Sequence, residues 1–304
     1  MWIAALWGAR SPRRRSVMVL SPPTGPGVGS APGKAIVLGE HFVVHGAPAL
    51  AVPVRGREVV VRVAPGAGPW RCAPAAVGHL RAMLAHLGLD PDAITLELAG
   101  TLPIGSGLGS SAALAVAMVR ALGVSEQEDV RHIAHDLERL AHGRPSGVDD
   151  AVAAYGQPVW FEAGTVTPVE AAHDCPLWIA MTPPGPSTRI AVEAVARWRD
   201  AHRARFDALL TASREDAERA RGWLVAGAWE RLGALLNAGH ERLVEVGVST
   251  PALDAVCQAA RESGAWGAKL TGAGMGGAVL ILAPKSLDLR AALRHAGAQE
   301  VFPA

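Results

Sequence analysis

Four short stretches of this 304-residue chain concentrate residue types that can do chemistry. In the first, APGKAIVLGEHFVVHG at 31–46, Lys34 precedes a short apolar run and Glu40 and His41 follow it. A strand here presents a cation at one end and an acid with an imidazole at the other, an arrangement suited to a polar substrate. Taken singly, each of these residue types is more often a surface group, so it is the trio that carries weight. The second, LPIGSGLGSSAA at 102–113, runs straight into the apolar stretch ALAVAMVRAL. Glycines at 105, 107 and 109 let backbone approach an anion closely, and free amides at the start of the following helix supply donors and the positive dipole end. It is neither a Walker A loop, since no Gly-Lys-Ser/Thr follows, nor a Rossmann fingerprint, because the third glycine is misplaced. A helix-capping turn explains about as many such stretches as a phosphate cradle does.

The third stretch holds Glu138 and, eleven residues on, Asp149 in GRPSGVDD at 143–150. Glu138 sits near a helix end where the dipole disfavours an acid, and Asp149 follows a Pro-Ser-Gly turn that can aim a carboxylate into a cleft. Each alone reads as a solvated acid. As a pair, one holds magnesium against a triphosphate while the other takes a proton from, or orients, an attacking hydroxyl. The fourth, AKLTGAGMGG at 268–277, is a second amide-rich loop beside a lysine and a threonine, equipped for another anionic group. A tight turn before a buried strand is the plain alternative. Two such loops, one in each half, are less expected by chance than one.

The elements that must position these groups can be traced along the chain. Residues 35–63 are rich in β-pattern and predict an antiparallel sheet. Helical spacing covers 75–87, 94–98 alternates as a strand, and helices are expected over 110–122, 125–142 (capped by Ser125) and 149–154. Strands at 158–161 and 177–181 enclose a weakly ordered stretch through Asp174, with a turn at 183–186. The second half predicts helices over 188–210, 214–246 with a break near Gly227, and 251–263 with Pro251 first behind a Thr250 cap. A buried strand at 277–283, a short helix at 286–296 and a strand near Val301 complete an α+β half. The domains predicted are an extension at 1–28, a nucleotide-binding half at 29–172 and a C-terminal half at 173–304.

Composition narrows the class of function. A formal charge of +1 with both signs interspersed provides no field for nucleic acid or an anionic membrane, so small molecules are the expected partners. Lysine occurs only at 34, 269 and 285, every other cation being arginine, which draws attention to each lysine. Cys72, Cys175 and Cys257 form no paired motif, pointing to a reducing cytoplasm rather than a disulfide framework or zinc. The apolar start precedes Arg13–Arg15, the reverse of a secretory signal, and no window has the roughly 18 apolar residues of a membrane span.

In order and content the four stretches resemble the signatures of the GHMP kinase superfamily across most of residues 30–285. GEHFVVHG at 39–46 with APALA at 47–51, PSGVD at 145–149 and GPSTR at 185–189 resemble its mevalonate kinase family. The resemblance implies an N-terminal half related to ribosomal S5 domain 2, a ferredoxin-like C-terminal half, and ATP-dependent phosphorylation of mevalonate in the cleft between them. It implies Asp149 as catalytic base and Lys34 as the cation that polarises the hydroxyl and steadies the phosphoryl group. Pro103, Gly105, Ser106, Gly107, Leu108, Gly109, Ser110, Ser111 and Ala112 would wrap the ATP phosphates, and Ser111 with Glu138 would hold Mg2+. Glu40, His41, Thr271, Gly272 and Ala273 would lie at the substrate, and a homodimer would be compatible with the surface helices of the second half. Three positions depart from the pattern: Asp150 where asparagine is usual, Met275 within the glycine run, and Phe42 where small residues are common. Met275 and Phe42 would narrow the substrate pocket or its neighbourhood. Two alternatives stay open: a kinase of phosphomevalonate or a sugar-like alcohol, for which Arg144 and Arg189 are available cations, and a non-catalytic sensor, which has no need for Lys34, Ser111, Glu138 and Asp149 together.

Overall fold

The computed structural model describes residues 19–103, 107–142, 145–172, 175–185 and 188–304. Strand β1 (Gly27–Leu38) pairs antiparallel with the long β2 (Ala49–Pro65), whose other edge pairs β3 (Ile94–Gly100) at one end and β4 (Val159–Glu162) at the other, with β5 (Thr165–Pro168) outermost. The second part of the β-patterned stretch, from Ala49 on, is one long strand. The register slips at Arg55–Arg57, between the pairings Pro32 with Glu58 and Gly33 with Val54, a bulge that lets the chain bend without ending the strand. β1 begins inside the segment read as an extension, because Gly27 and Gly29 lie directly under a helix: a Cβ at either would stand about 2 Å from the carbonyl oxygen of Ala121 or Ala117.

That helix, α2 (Ser110–Ala121), buries Ala112, Ala113, Ala115, Val116, Ala117, Met118, Val119 and Ala121. A helix apolar around its circumference must be enclosed, and α2 lies between the sheet, α3 (Gln127–His142) and α4 (Val148–Tyr155). Arg120 ties the layers, donating to the carbonyls of Ser30 and Ala154 at 2.6 Å each. α1 (Pro74–His86) closes the far side. α3 starts at Gln127, two residues after the expected Ser125 cap, and Glu126 accepts its first intrahelical bond from Val130.

The second sheet, antiparallel in the order β7 (Gly267–Thr271), β8 (Ala278–Leu282), β6 (Leu177–Met181), β9 (Glu300–Pro303), is covered by α7 (Trp229–Glu245), α8 (Pro251–Glu262) and the short α9 (Arg290–His295). Thr250 caps α8, accepting from the Leu253 amide at 3.3 Å, with Pro251 in the first turn. The helical pattern from 188 breaks earlier than expected. α5 (Thr188–Ala201) ends at His202, whose ring stacks on Trp198 at 4.6 Å, and α6 runs over Arg203–Ala226. Residues 268–271, read as loop, form most of β7. Among the described residues no helix is long and apolar enough to cross a membrane.

The halves meet along β1 and β7. The Ile36 amide donates to Thr271 Oγ1 at 2.7 Å, and that hydroxyl lies 3.2 Å from the Ile36 carbonyl. Phe42 belongs to this junction rather than to a pocket wall. It is 2% exposed, sits 5.6 Å from the Phe206 ring, and joins the core of the C-terminal half. Its size is taken up in packing beside His41.

Candidate active site

Lys34 is placed by the inward-facing register of β1 and is only 4% exposed. Its backbone amide bonds the Leu108 carbonyl at 2.8 Å, fixing the strand to the first glycine loop. Its ammonium lies 3.1 Å from the Gly107 carbonyl and 3.3 Å from Asp149 Oδ1. Asp149 enters from α4, whose preceding residue Gly147 is left-handed (φ 90), so the chain turns sharply and sets the acid in the first helical turn. It stays about a third exposed, open to a reactant. Gly109 initiates α2 at φ 72, and a Cβ there would stand 2.9 Å from Lys34 Cγ and 3.5 Å from Asp149 Oδ2. The left-handed turn thus brings the α2 amides, the lysine and the acid to one place. Residues 107–109 lead from the first glycine loop into α2 beside them, while Gly105 and Ser106 lie outside the described residues.

Ser111, in the first turn of α2, donates to Glu138 Oε1 across to α3 at 2.5 Å. Glu138 is 5% exposed, and burial, reinforced by the like charges of Asp149 and Asp150, pushes its pKa up to about 7. Asp150 is 1% exposed; its Oδ1 lies 3.4 Å from His135 Nδ1 and its Oδ2 has no hydrogen-bond partner. Three acids therefore gather beside one lysine. Among the described residues no group of three or more such ligands forms a complete metal cage. Two oxygen donors, Ser111 and Glu138, at a phosphate cradle nevertheless fit a hard cation that takes its remaining ligands from phosphate and water.

The second glycine loop closes the other side. Gly272 (φ 87) approaches the first loop so nearly that a Cβ would stand 3.0 Å from the Gly107 carbonyl. Met275 adopts a left-handed conformation (φ 59), and its amide is held by the Val248 carbonyl at 2.6 Å. His41, also left-handed (φ 60), reaches this loop through Nε2, 2.9 Å from the Ala273 carbonyl. Burial lowers the His41 pKa, so the ring is neutral at pH 7. A carbonyl only accepts, so Nε2 carries the proton and Nδ1 keeps its lone pair.

Glu40 and Lys269 are not arranged as their residue types led us to expect. Lys269, read as equipment for an anion, is fully buried and pairs with Glu40. Its ammonium also donates to the Leu270 carbonyl at 2.7 Å and the Ile36 carbonyl at 3.3 Å. Burial pushes the Glu40 carboxyl up and the Lys269 ammonium down, each partly restored by the other's charge. The Thr271 hydroxyl is likewise engaged with Ile36. Also absent from the sequence reading is a partly buried chain in which His240 links Asp254 (3.1 Å) to the Leu270 amide (3.3 Å) and Ser249 donates to Asp254. It props β7 from below, and residues 14 and 30 apart gave no periodic signal for it. A separate cleft of about 490 Å3 lined by Arg55, Cys175, Trp178, Lys285 and Arg290 contains none of the groups above.

Comparison with known proteins agrees with this geometry. The family model for the GHMP kinases N terminal domain matches residues 75–157 and that for the GHMP kinases C terminal matches 212–302. Mevalonate kinase of Thermococcus gammatolerans is 32% identical over 88% of this chain and 92% of its own, and that of Aeropyrum pernix is 32% identical over 83% and 86%. The crystal structure of L. major mevalonate kinase in complex with R-mevalonate superposes with a TM-score of 0.81 at 29% identity, covering 94% of this chain and 96% of that one. Mevalonate kinase from Methanococcus jannaschii shares the fold, with a TM-score of 0.77 at 20% identity over 93% and 98%. With both domain models matched in order around the junction of two glycine loops, the chain is a member of the GHMP kinase family, on its mevalonate kinase branch.

Proposed function

We propose that this chain transfers the terminal phosphoryl group of ATP to the primary hydroxyl of mevalonate, yielding 5-phosphomevalonate and ADP for isoprenoid precursor synthesis. The observation that carries the reading is the Lys34–Asp149 pair, 3.3 Å apart, at the mouth of the α2 amides. Phosphoryl transfer needs mostly positioning and charge neutralisation, and amides, one lysine and one acid at a single point provide both. As the hydroxyl oxygen bonds to phosphorus and the bond to ADP breaks, Asp149 accepts the hydroxyl proton. Lys34 holds Asp149 in orientation and balances charge on the transferring group. The amides of 107–112 bind the phosphates. Ser111 and Glu138 would hold Mg2+, which when bound would neutralise phosphate charge. His41, Gly272 and Ala273 face the acceptor, Thr271 holds the loop in register, and the carboxylate of Glu40 is taken up by Lys269. The unpaired thiols at 72, 175 and 257 suit a cytosolic enzyme.

A coupled ADP-release assay with Mg-ATP, offering mevalonate, phosphomevalonate, galactose and homoserine in parallel, tests this directly. Turnover with mevalonate alone is the expected result. Turnover only with a different acceptor would reassign the pocket, and nucleotide binding without ADP release would make the protein a sensor.

A further inference from the structure

Glu40 and Lys269 meet across 229 residues of sequence, one from each half of the molecule, and are 2% and 0% exposed. Every N–H of the lysine has an acceptor: the Glu40 carboxylate and the carbonyls of Ile36 and Leu270. Glu40 stands between two unusual backbone positions. Gly39 is at φ 110, where a Cβ would stand 2.5 Å from the Pro48 carbonyl, and His41 is at φ 60. A left-handed histidine persists only where its surroundings over-determine it. On one side Phe42 is seated on Phe206; on the other, the clamp on Glu40 is the restraint.

We infer that Lys269 is a positioning residue for the acceptor side of the cleft. By cancelling the charge of Glu40 it keeps that carboxylate inside, and with it the Gly39-Glu40-His41 turn with His41 against Ala273; left charged and unpaired, the acid would turn outward, carry the turn with it and stand next to a site that takes an anionic alcohol. Lys269 touches no reactant; it acts through Glu40 and His41. The inference rests on the acceptor being the anionic alcohol proposed above. Its physical basis is that removing one partner of a buried ion pair leaves an uncompensated charge, whereas removing both leaves none.

The test uses full-length Lys269→Met and the double variant Glu40→Gln/Lys269→Met, with KM for mevalonate, KM for ATP, kcat and thermal unfolding measured for each. Lys269→Met should raise the mevalonate KM at least tenfold while kcat and the ATP KM change less than threefold. The double variant, with no charge left, should return the mevalonate KM to within threefold of the parent. A lysine that merely held the fold together would reduce the active fraction, lowering kcat with both KM values unchanged, and that result overturns the inference. So does a double variant as impaired as Lys269→Met, since Glu40 would then be touching substrate itself. Should Lys269→Met not fold, the mevalonate KM of the double variant decides by the same limits. Parent protein that turns over an uncharged alcohol instead of mevalonate would overturn the substrate reading and the charge-cancelling role together. Turnover of mevalonate without the KM split would overturn the role of Lys269 alone.

Discussion

Asp149 and Glu138 are both acids on the same side of α2, yet their surroundings separate their tasks. Asp149 is a third exposed and paired with Lys34, as the base proposed above requires. Its replacement in Asp149→Ala should lower kcat by about 10²–10⁴-fold, the usual contribution of a positioned base, with the dissociation constant for ATP, measured by calorimetry, nearly unchanged. Near-parental turnover would remove it from the mechanism. Glu138 is enclosed, and burial raises its pKa from the ordinary 4.5 to about 7. Between those values the folded protein binds more protons than the unfolded chain, so this group's contribution to stability is fully present below 4.5 and is lost as pH rises through 7. The difference is about 3 kcal/mol. Without nucleotide or metal, Glu138→Gln should therefore gain stability relative to the parent by that order between pH 5 and pH 8 in denaturant titrations. A pH-independent difference would count against the enclosed acid. Because a metal must displace that proton, the magnesium requirement should rise as pH falls below 7. Asp150→Asn, which removes one like charge acting on Glu138, should move the onset of this rise to lower pH. An unmoved onset would show that Asp150 does not act on it.

At the scale of elements, the close seating of α2 on β1 sets the depth of the cleft. Because a Cβ on Gly29 would stand 2.1 Å from the Ala117 carbonyl, Gly29→Ala must push helix and strand apart. The expected loss is about 1–3 kcal/mol of stability, together with weaker ATP binding, since the α2 amides move away from Lys34. Unchanged nucleotide affinity in a folded Gly29→Ala would disconnect the seating from the site. The glycines that permit it are also why β1 was under-read: Gly27-Val-Gly-Ser-Ala-Pro-Gly33 has the composition of a loop, and only the helix above it explains the strand. Elsewhere local signals sufficed. The α8 cap at Thr250, the apolar circumference of α2 and the glycine loops were legible because capping, burial and anion geometry are encoded within a few residues. Lys269 was not, since nothing in a lysine's sequence neighbourhood reveals a partner 229 residues away. The break at His202 was missed for a related reason: its Nδ1 lies 3.0 Å from the Trp198 carbonyl, a side-chain contact that competes with the backbone ladder, and both residues fit the helical pattern.

For the whole molecule, the β1–β7 junction makes the two halves one thermodynamic unit. Ile36 with Thr271, Glu40 with Lys269, and Arg57 with Glu300 all cross it. Opening it would expose a buried ion pair, so both halves should unfold in one transition, and hydrogen exchange in β2 and β8 should report the same free energy. Distinct values for the two sheets would show that the junction is weaker than its contacts indicate.

The same junction has a consequence during synthesis. Glu40 leaves the ribosome 229 residues before Lys269, an interval of roughly 10–50 s at ordinary elongation rates. Within that time the nascent first half gains its glycine loop and Asp149 to join Lys34, while Glu40 remains solvated and the turn bearing His41 lacks its anchor. Contacts this distant along the chain form late because loop closure must precede them. A nascent chain would thus acquire the residues of the phosphate cradle well before its acceptor pocket, and in refolding experiments nucleotide binding should return ahead of mevalonate turnover.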